Sequence, residues 1–152
     1  MSIKIQAPKG FTFNIYQCHD DYDNTVNVQL ITKVKVGKVY IPKEIGYVHL
    51  EKDYDHDSRG KEFYRTHSFL AKDYRGKKLG VILYAKAIQW CLENKFRVSS
   101  SGSSSDDARR VWKSKTLRKY FKIRRRANWR PYYSINRSRH GDKFDTWYAY
   151  EK

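Results

Sequence analysis

The sequence predicts a mixed α/β fold in which a mostly antiparallel sheet is flanked by helices. Three observations support this prediction. Apolar and polar residues alternate, with many β-branched side chains, in several stretches of the first 70 residues, which is typical of strands. A long stretch with apolar residues at three- and four-residue spacing follows, which indicates a helix with one buried face. The 152 residues suit a single domain spanning 1–152, and the 16% of aromatic residues can build its core.

The first half of the chain is expected to form four strands, at residues 11–19, 26–36, 45–51 and 62–70. Short turns, two of them acidic, separate the strands, and Gly37 ends the second. The fourth strand leads through a basic, glycine-bearing loop into the helix. The apolar positions of that helix are Leu79, Ile82, Leu83, Ala87, Trp90 and Cys91.

The second half is expected to continue the sheet. A fifth strand at 95–99 follows the helix and therefore runs parallel to the fourth. A serine-rich loop at 100–105 caps a second helix, which carries Asp106 and Asp107 in its first turn and ends near Tyr120. Two alternating segments, 129–135 and 144–150, predict a closing pair of antiparallel strands.

The chain is strongly basic, with 32 Lys and Arg against 16 Asp and Glu, a net charge of +16. Charge of this size favours binding to polyanions. Between Arg109 and Arg130 no acidic residue interrupts the cations, and aromatic residues are interleaved with them, which suits phosphates and stacked bases. A solvated basic face over core aromatics is the simpler explanation, but the dense arginine triplet favours a nucleic acid or another polyanion. The residues predicted to bind it are Arg118, Lys119, Lys122, Arg124, Arg125, Arg126, Trp129 and Arg130.

Other kinds of site are not expected. Cys18 and Cys91 are too few for a disulfide framework or a zinc site, and they suit a reducing compartment. The acidic run 53–57 resembles the start of a calcium loop but lacks its glycine and its closing glutamate. No signal peptide and no membrane-spanning segment is expected, so the chain is predicted to be cytoplasmic.

The loop between the fourth strand and the first helix is predicted to bind an anion. A strand that passes directly into a helix leaves several backbone N–H groups without partners. The positive end of the helix dipole favours phosphate there, and Arg75, Lys77 and Lys78 add full charges. Many basic loops before helices share these features, so they do not by themselves identify a family.

At these residues the chain resembles the GNAT acyltransferase superfamily. The signature loop of that family runs Arg or Gln, two variable residues, Gly, one variable residue, and Gly or Ala. Here Arg75 opens the motif and Gly80 closes it. Lys78 departs from the pattern because it stands where the first motif glycine is expected, and there the backbone must approach a phosphate closely.

The resemblance implies a GNAT-like fold, with acetyl-CoA or another acyl-CoA as the cofactor and its pyrophosphate on this loop. The family usually has two helices between the first two strands, and here only a short turn separates them. The acceptor side is therefore expected to be open, which suits a bulky substrate. The residues that the resemblance implies for the cofactor are Leu70, Arg75, Gly76, Lys77, Lys78, Leu79, Gly80 and Ser105.

The resemblance also implies a general base and an acid that protonates the departing thiolate. His67 and Glu62, on the fourth strand, are the candidate bases. The acid of the family is a tyrosine on the second helix, and Trp112 occupies its position here. Three alternatives follow: no acid is needed, another hydroxyl such as that of Tyr120 or Ser101 supplies the proton, or catalysis is lost.

These observations together predict an acyltransferase that moves an acetyl or related acyl group to an amine on a nucleic acid or on a protein associated with nucleic acid. The alternative is a catalytically inactive GNAT-fold module that binds nucleic acid or another polyanion. A third possibility is an acetyltransferase for small amines. Small, basic, trimmed chains of this kind resemble phage-encoded members of the superfamily, which would act in the host cytoplasm.

Overall fold

The computed structural model describes residues 4–19, 24–53, 63–101, 104–126, 142 and 145–152. In these ranges the strands form one sheet in the order β1-β2-β3-β4-β5-β7-β6, and only β4 and β5 pair in parallel. The predicted mixed, mostly antiparallel sheet is therefore confirmed. The strands are β1 (Phe11–His19), β2 (Asn24–Val36), β3 (Val39–Asp53), β4 (Phe63–Leu70), β5 (Arg97–Ser100), β6 (Phe121–Arg126) and β7 (Thr146–Glu151), and the helices are α1 (Leu79–Glu93), α2 (Asp106–Trp112) and α3 (Lys115–Tyr120), with a 3-10 turn at Lys72–Tyr74.

The first four strands pair antiparallel in chain order, as their spacing predicts. β3 begins at Val39 rather than at position 45, because β2 supplies a partner for each residue from Glu44 back to the turn, where Val36 faces Val39. Gly37 takes a φ of +65° in that turn, a conformation that glycine adopts at little cost.

The two faces of the sheet differ in chemistry. Alternate strand residues such as Val28 and Val48 are fully buried in a core to which all three helices contribute. The residues between them lie on the opposite face, which we call the open face because many of its side chains are exposed or only half-buried. Its members include Tyr16 on β1, Asn27 on β2, His49 on β3, His67 on β4 and Tyr148 on β7.

The segment after β5 forms two short helices, so the prediction of one helix ending near Tyr120 is wrong. The first helix stops at Trp112, and Ser114 caps the second, where its Oγ accepts a hydrogen bond from the N–H of Leu117 at 3.2 Å. This cap satisfies a backbone donor at the start of α3 and so favours the interruption of the helix between Trp112 and Lys115.

In the described ranges β7 lies between β5 and β6, and β6 is a strand that the sequence did not predict. The segment 129–135, predicted to pair with the last strand, lies outside the described residues. None of the helices in the described ranges combines the length and the apolar character needed to cross a bilayer.

Candidate functional site

The candidate site begins where β4 separates from β5. The two strands pair in parallel over four residues, ending with Thr66 opposite Ser100. Beyond Thr66, β4 continues to Leu70 and pairs only with β3. Because backbone groups alternate between the two edges of a strand, about half of those beyond Thr66 face the gap beside β5.

A close approach between β3 and β4 fixes the end of β4. Gly46 lies opposite Leu70, and a Cβ there would stand 2.8 Å from Leu70 Cδ1 and 2.9 Å from the carbonyl oxygen of Phe69. β3 bulges beside it at Ile45, whose carbonyl accepts a hydrogen bond from the N–H of Ala71 at 2.8 Å. These contacts hold the start of the following loop against β3.

The loop contains two residues with left-handed backbone conformations, Gly76 at a φ of +80° and Lys78 at a φ of +61°. For a residue with a side chain this conformation costs roughly 1–2 kcal/mol. Lys78 thus has the backbone conformation of a glycine at the position where the resemblance predicts one. Arg75 ties the loop to β4, since its Nε donates to the carbonyl of Leu70 at 3.0 Å.

The first turn of α1 offers unpaired backbone donors. Lys78 is the N-cap residue and makes no side-chain capping bond. Within the described ranges, no backbone carbonyl accepts from the N–H groups of residues 76–81. The positive end of the helix dipole lies at the same place. The local structure is therefore suited to an anion, as the loop predicts.

A cavity of about 490 Å³ opens at this end of α1, between the end of β4, the loop and α2. Lys77 and Leu79 do not line it: Lys77 Nζ lies 5.8 Å from the centroid of the Tyr74 ring, and Leu79 is buried in the core. A Cβ on Gly80 would enter the cavity, 3.9 Å from Val111 Cγ2. The lining residues that the resemblance implies are Leu70, Arg75, Gly76, Lys78, Gly80 and Ser105.

The opposite wall of the cavity is the first turn of α2. Ser105 is its N-cap, and its Oγ accepts from the N–H of Ala108 at 3.2 Å. Asp107 and Arg110 also line the cavity, and Arg110 Nη1 lies 3.0 Å from Asp107 Oδ1. This ion pair leaves the cations of the loop as the unbalanced charges of the cavity.

Two hydroxyl groups meet on the inner wall of the cavity. Ser68 Oγ and Tyr84 Oη are 2.6 Å apart, and both residues line the cavity. Burial raises the pKa of the Tyr84 hydroxyl, and its hydrogen bonds with Ser68 and Thr66 offset only part of that rise. The Tyr84 ring packs edge-on against Trp112, with centroids 6.0 Å apart. Trp112 is fully buried, and its Nε1 has no hydrogen-bond partner in the described part of the chain.

The predicted catalytic residues lie apart from this hydroxyl pair. His67 points to the open face, where its Nε2 is 3.4 Å from Glu51 Oε2. Tyr120 ends α3 and is not among the residues that line the cavity. Glu62 lies outside the described residues. Within those residues, no group of three or more His, Cys, Asp or Glu could hold a metal ion.

Three of the predicted nucleic-acid-binding residues form a row on the open face of β6. These are Lys122, Arg124 and Arg126, which alternate with residues that face the core. Opposite them on β7 are Tyr150, Tyr148 and Thr146, and Arg124 lies 5.9 Å from the centroid of the Tyr150 ring. We call these three cations and the two tyrosines the β6 ladder. No acidic side chain in the described ranges pairs with the three cations.

The other predicted basic residues lie elsewhere. Arg125 points towards the core side, and its Nε is 3.6 Å from Oδ2 of the buried Asp145. Arg118 and Lys119 occupy the last turn of α3. Trp129 and Arg130 lie outside the described residues.

Several residues of the site were not predicted from the sequence. Arg110 could have been found from its i, i+3 spacing to Asp107. Tyr84 and Glu51 carry no such local signal, because each meets its partner only through the pairing of distant segments.

One of the comparisons with known proteins identifies a family. A family model described as the acetyltransferase (GNAT) family matches residues 14–115. The chain is similar to the crystal structure of an acetyltransferase of the GNAT family from Streptococcus pneumoniae, with 15% identity, a TM-score of 0.45, and coverage of 86% of this chain and 68% of that one. It is also similar to Arabidopsis thaliana NAA60 in complex with acetyl-CoA, with 15% identity, a TM-score of 0.49, and coverage of 85% of this chain and 76% of that one. No curated protein matches the sequence.

Proposed function

The chain belongs to the GNAT acetyltransferase family, whose cosubstrate is acyl-CoA, and from that premise we propose that it transfers an acetyl or related acyl group to an amine on a nucleic acid or a nucleic-acid-associated protein. The observation that carries the catalytic part of this proposal is the cavity at the start of α1, where β4 has left β5. The observation that carries the acceptor part is the β6 ladder.

The residues present fit an acyl-CoA. The free N–H groups of residues 76–81 would hold its pyrophosphate, with Arg75 and Lys78 as neighbouring cations. Gly80 leaves room for it, since an added Cβ would enter the cavity. The unpaired edge of β4 beyond Thr66 offers backbone groups to its amide-bearing arm. When bound, the cofactor supplies an activated acyl group as a thioester.

The open face supports the acceptor role. The acceptor amine must lose a proton to become a nucleophile, and His67 is the candidate base, with Glu51 beside it to orient the ring. Glu62 remains a second candidate from the sequence. The half-exposed open face leaves room for a bulky acceptor on this side of β4.

The β6 ladder would bind the acceptor or the nucleic acid around it. Its cations, none of them paired with an acidic side chain in the described ranges, can meet phosphates, and its tyrosines lie beside them on the same face. Arg125 is less available for this role because Asp145 lies next to it.

Calorimetric titration of the full chain with acetyl-CoA tests the cofactor site. Wild type is expected to bind at micromolar concentration, and Gly80→Val is expected to bind at least tenfold more weakly because the added methyl groups occupy the cavity. Valine is a better helix former than glycine, so the melting temperature of this variant should not fall. Absence of binding to wild type at high micromolar acetyl-CoA would overturn the enzymatic proposal.

Salt-dependent binding to a fluorescent oligonucleotide tests the ladder. Neutralising Lys122, Arg124 and Arg126 to Gln should lower the slope of log K against log salt by about 2, because each phosphate contact contributes about 0.7–0.9. The matched control neutralises Lys33, Lys35 and Lys38, which lie on the hairpin of β2 and β3; β2 is five strand spacings, at least about 24 Å, from β6 across the sheet. Equal losses in both variants would mean that net charge, and not the ladder, binds the polyanion.

The alternative is an inactive module on the same scaffold, and Trp112 is the observation that favours it, since an indole cannot act as the acid. Lys78 is weaker support for an inactive module than the sequence implies, because its backbone has the left-handed conformation of a glycine. A mass increase of an RNA, a DNA or a basic protein after incubation with acetyl-CoA separates the two functions. Turnover of polyamines alone, indifferent to added nucleic acid, would indicate a small-amine acetyltransferase instead.

A further inference from the structure

The hydroxyl of Tyr84 lies beside the end of β4, at the wall of the cavity. It is hydrogen-bonded to Ser68, at 2.6 Å, and to Thr66. Thr66 is the last residue of β4 that pairs with β5, and Ser68 is the next residue on the same face. The hydroxyl therefore lies at the point where the two strands separate and where the cavity reaches the sheet.

The tyrosine expected on α2 is absent, and its replacement packs against Tyr84. Trp112 is fully buried, and its ring meets the Tyr84 ring edge-on at an interplanar angle of 74°. The indole cannot donate a proton to a leaving group, but it fixes the position of the Tyr84 ring. The chain thus presents a phenolic hydroxyl to the cavity from α1, and Trp112 packs behind the ring that carries it.

We propose that Tyr84, with Ser68 as its partner, is the proton donor to the departing sulfur in the acyl transfer. This inference rests on the proposed function. As the bond between the acceptor nitrogen and the acyl carbon forms and the carbon–sulfur bond breaks, Tyr84 gives its proton to the sulfur, which leaves with the bonding electron pair. The acceptor nitrogen loses two protons in all: His67 takes the first before the attack, and Ser68, which is exposed to the cavity, passes the second to Tyr84 as the amide forms. The overall exchange consumes an amine and a thioester and yields an amide and a thiol.

The environment of Tyr84 keeps its hydroxyl protonated. Burial raises the pKa of its hydroxyl above the usual value near 10, so the group holds its proton at neutral pH. It can therefore act as a donor at the start of each cycle.

Titration calorimetry with CoA and with desulfo-CoA at pH 8.5 tests the proposal without requiring turnover. Tyr84 remains protonated at that pH, so its hydroxyl can donate a hydrogen bond to the sulfur of CoA. A hydroxyl that donates to the sulfur should make wild type bind CoA about tenfold more tightly than desulfo-CoA. Tyr84→Phe keeps the ring against Trp112 and should bind both ligands equally, within twofold. A residue with a merely structural role would weaken both ligands in parallel.

Two further variants decide between the outcomes. Ser68→Ala, at an exposed position that does not threaten folding, should also reduce the preference for CoA, whereas Tyr120→Phe should retain it. A preference for CoA that survives in Tyr84→Phe, or in Ser68→Ala if the first variant does not fold, overturns the proposal and leaves the proposed acyltransferase function intact. Failure of wild type to bind either ligand overturns both the role of Tyr84 and the proposed acyltransferase function.

Discussion

Replacement of Lys78 by glycine should make the protein more stable. Lys78 has a φ of +61° and a ψ of 12°, and it caps α1 without a side-chain hydrogen bond. Glycine adopts this conformation freely, and the change also removes a positive charge from the positive end of the helix dipole. The substitution therefore relieves two unfavourable terms in one residue.

The magnitude follows from these two terms. The left-handed conformation costs a side-chain-bearing residue about 1–2 kcal/mol, and the extra entropy that glycine loses on folding returns about 0.5–1 kcal/mol of that. The net conformational gain is about 0.5–1 kcal/mol. Removal of the charge adds about 0.3–1 kcal/mol at low salt. In a chain of this length 1 kcal/mol shifts the melting temperature by about 2–4 °C, so Lys78→Gly should melt about 2–8 °C higher than wild type.

The matched control is Lys78→Gln, which removes the charge but keeps a side chain on the left-handed residue. It should recover only the charge contribution, and that contribution should shrink at high salt. The conformational part is then the difference between the two variants, about 1–4 °C at any salt concentration. Urea unfolding gives the same comparison in free energy, provided that the m-values agree.

The reasoning is refuted if Lys78→Gly melts at or below the temperature of Lys78→Gln. That result would mean that the lysine does not hold a left-handed conformation in solution, so the loop would lack the shape that the signature glycine gives. The proposed anion site would then lose its principal support, because its free N–H groups depend on that turn of the backbone.

Three other substitutions test neighbouring features. Gly46→Ala should destabilise the protein by about 1–3 kcal/mol in urea unfolding and weaken acetyl-CoA binding, because its Cβ would clash with Leu70. Asp142→Asn should lower the free energy of unfolding at pH 7 by up to about 1 kcal/mol, seen as a lower melting temperature, and should have no effect near pH 2. Burial alone would raise the pKa of Asp142, but a hydrogen bond and the positive charge of Lys113 hold that pKa below its usual value. The stability that the carboxylate contributes is therefore present at neutral pH and is lost as pH falls through the lowered pKa. Ser105→Ala removes the cap of α2 and should cost about 1 kcal/mol in thermal unfolding, whereas a loss above 2 kcal/mol would contradict a simple capping role.

The sequence predicts the strands before α1 well because their patterns are local. Residues 11–19 alternate cleanly, and β1 has those bounds in the structure. The break at Ser114 was missed because the helical spacing of apolar residues continues across it, although a serine before a basic helix is a capping signal. β6 was missed for a different reason. Its three consecutive arginines hide the alternation of Phe121 and Ile123, and only pairing with β7 makes the segment a strand.

The candidate site was predicted where its residues are contiguous and missed where they are not. The loop around Arg75 and Gly80 carries its chemistry in sequence order, so the motif alone located one wall of the cavity. Tyr84 lies within the same helix, but its role depends on Ser68, which is brought to it by the crossing of α1 over β4. Periodicity shows which side of a helix is buried and does not show which polar atom on another element it will meet.

The two departures from the family pattern differ in what can compensate them. Lys78 replaces a residue whose role is backbone conformation, and the same chain segment can supply that conformation at a cost of about 1–2 kcal/mol. Trp112 replaces a residue whose role is a hydroxyl proton, which no backbone change can supply; under the proposed function a different side chain provides it. Tyr84 is in contact with Trp112 and turns its hydroxyl to the cavity. An apolar side chain at the separation of β4 and β5 would pack without the cost of burying a hydroxyl, and the hydrogen bond with Ser68 offsets that cost for Tyr84. The acid role proposed for Tyr84 therefore depends on the position of this hydroxyl beside the cavity.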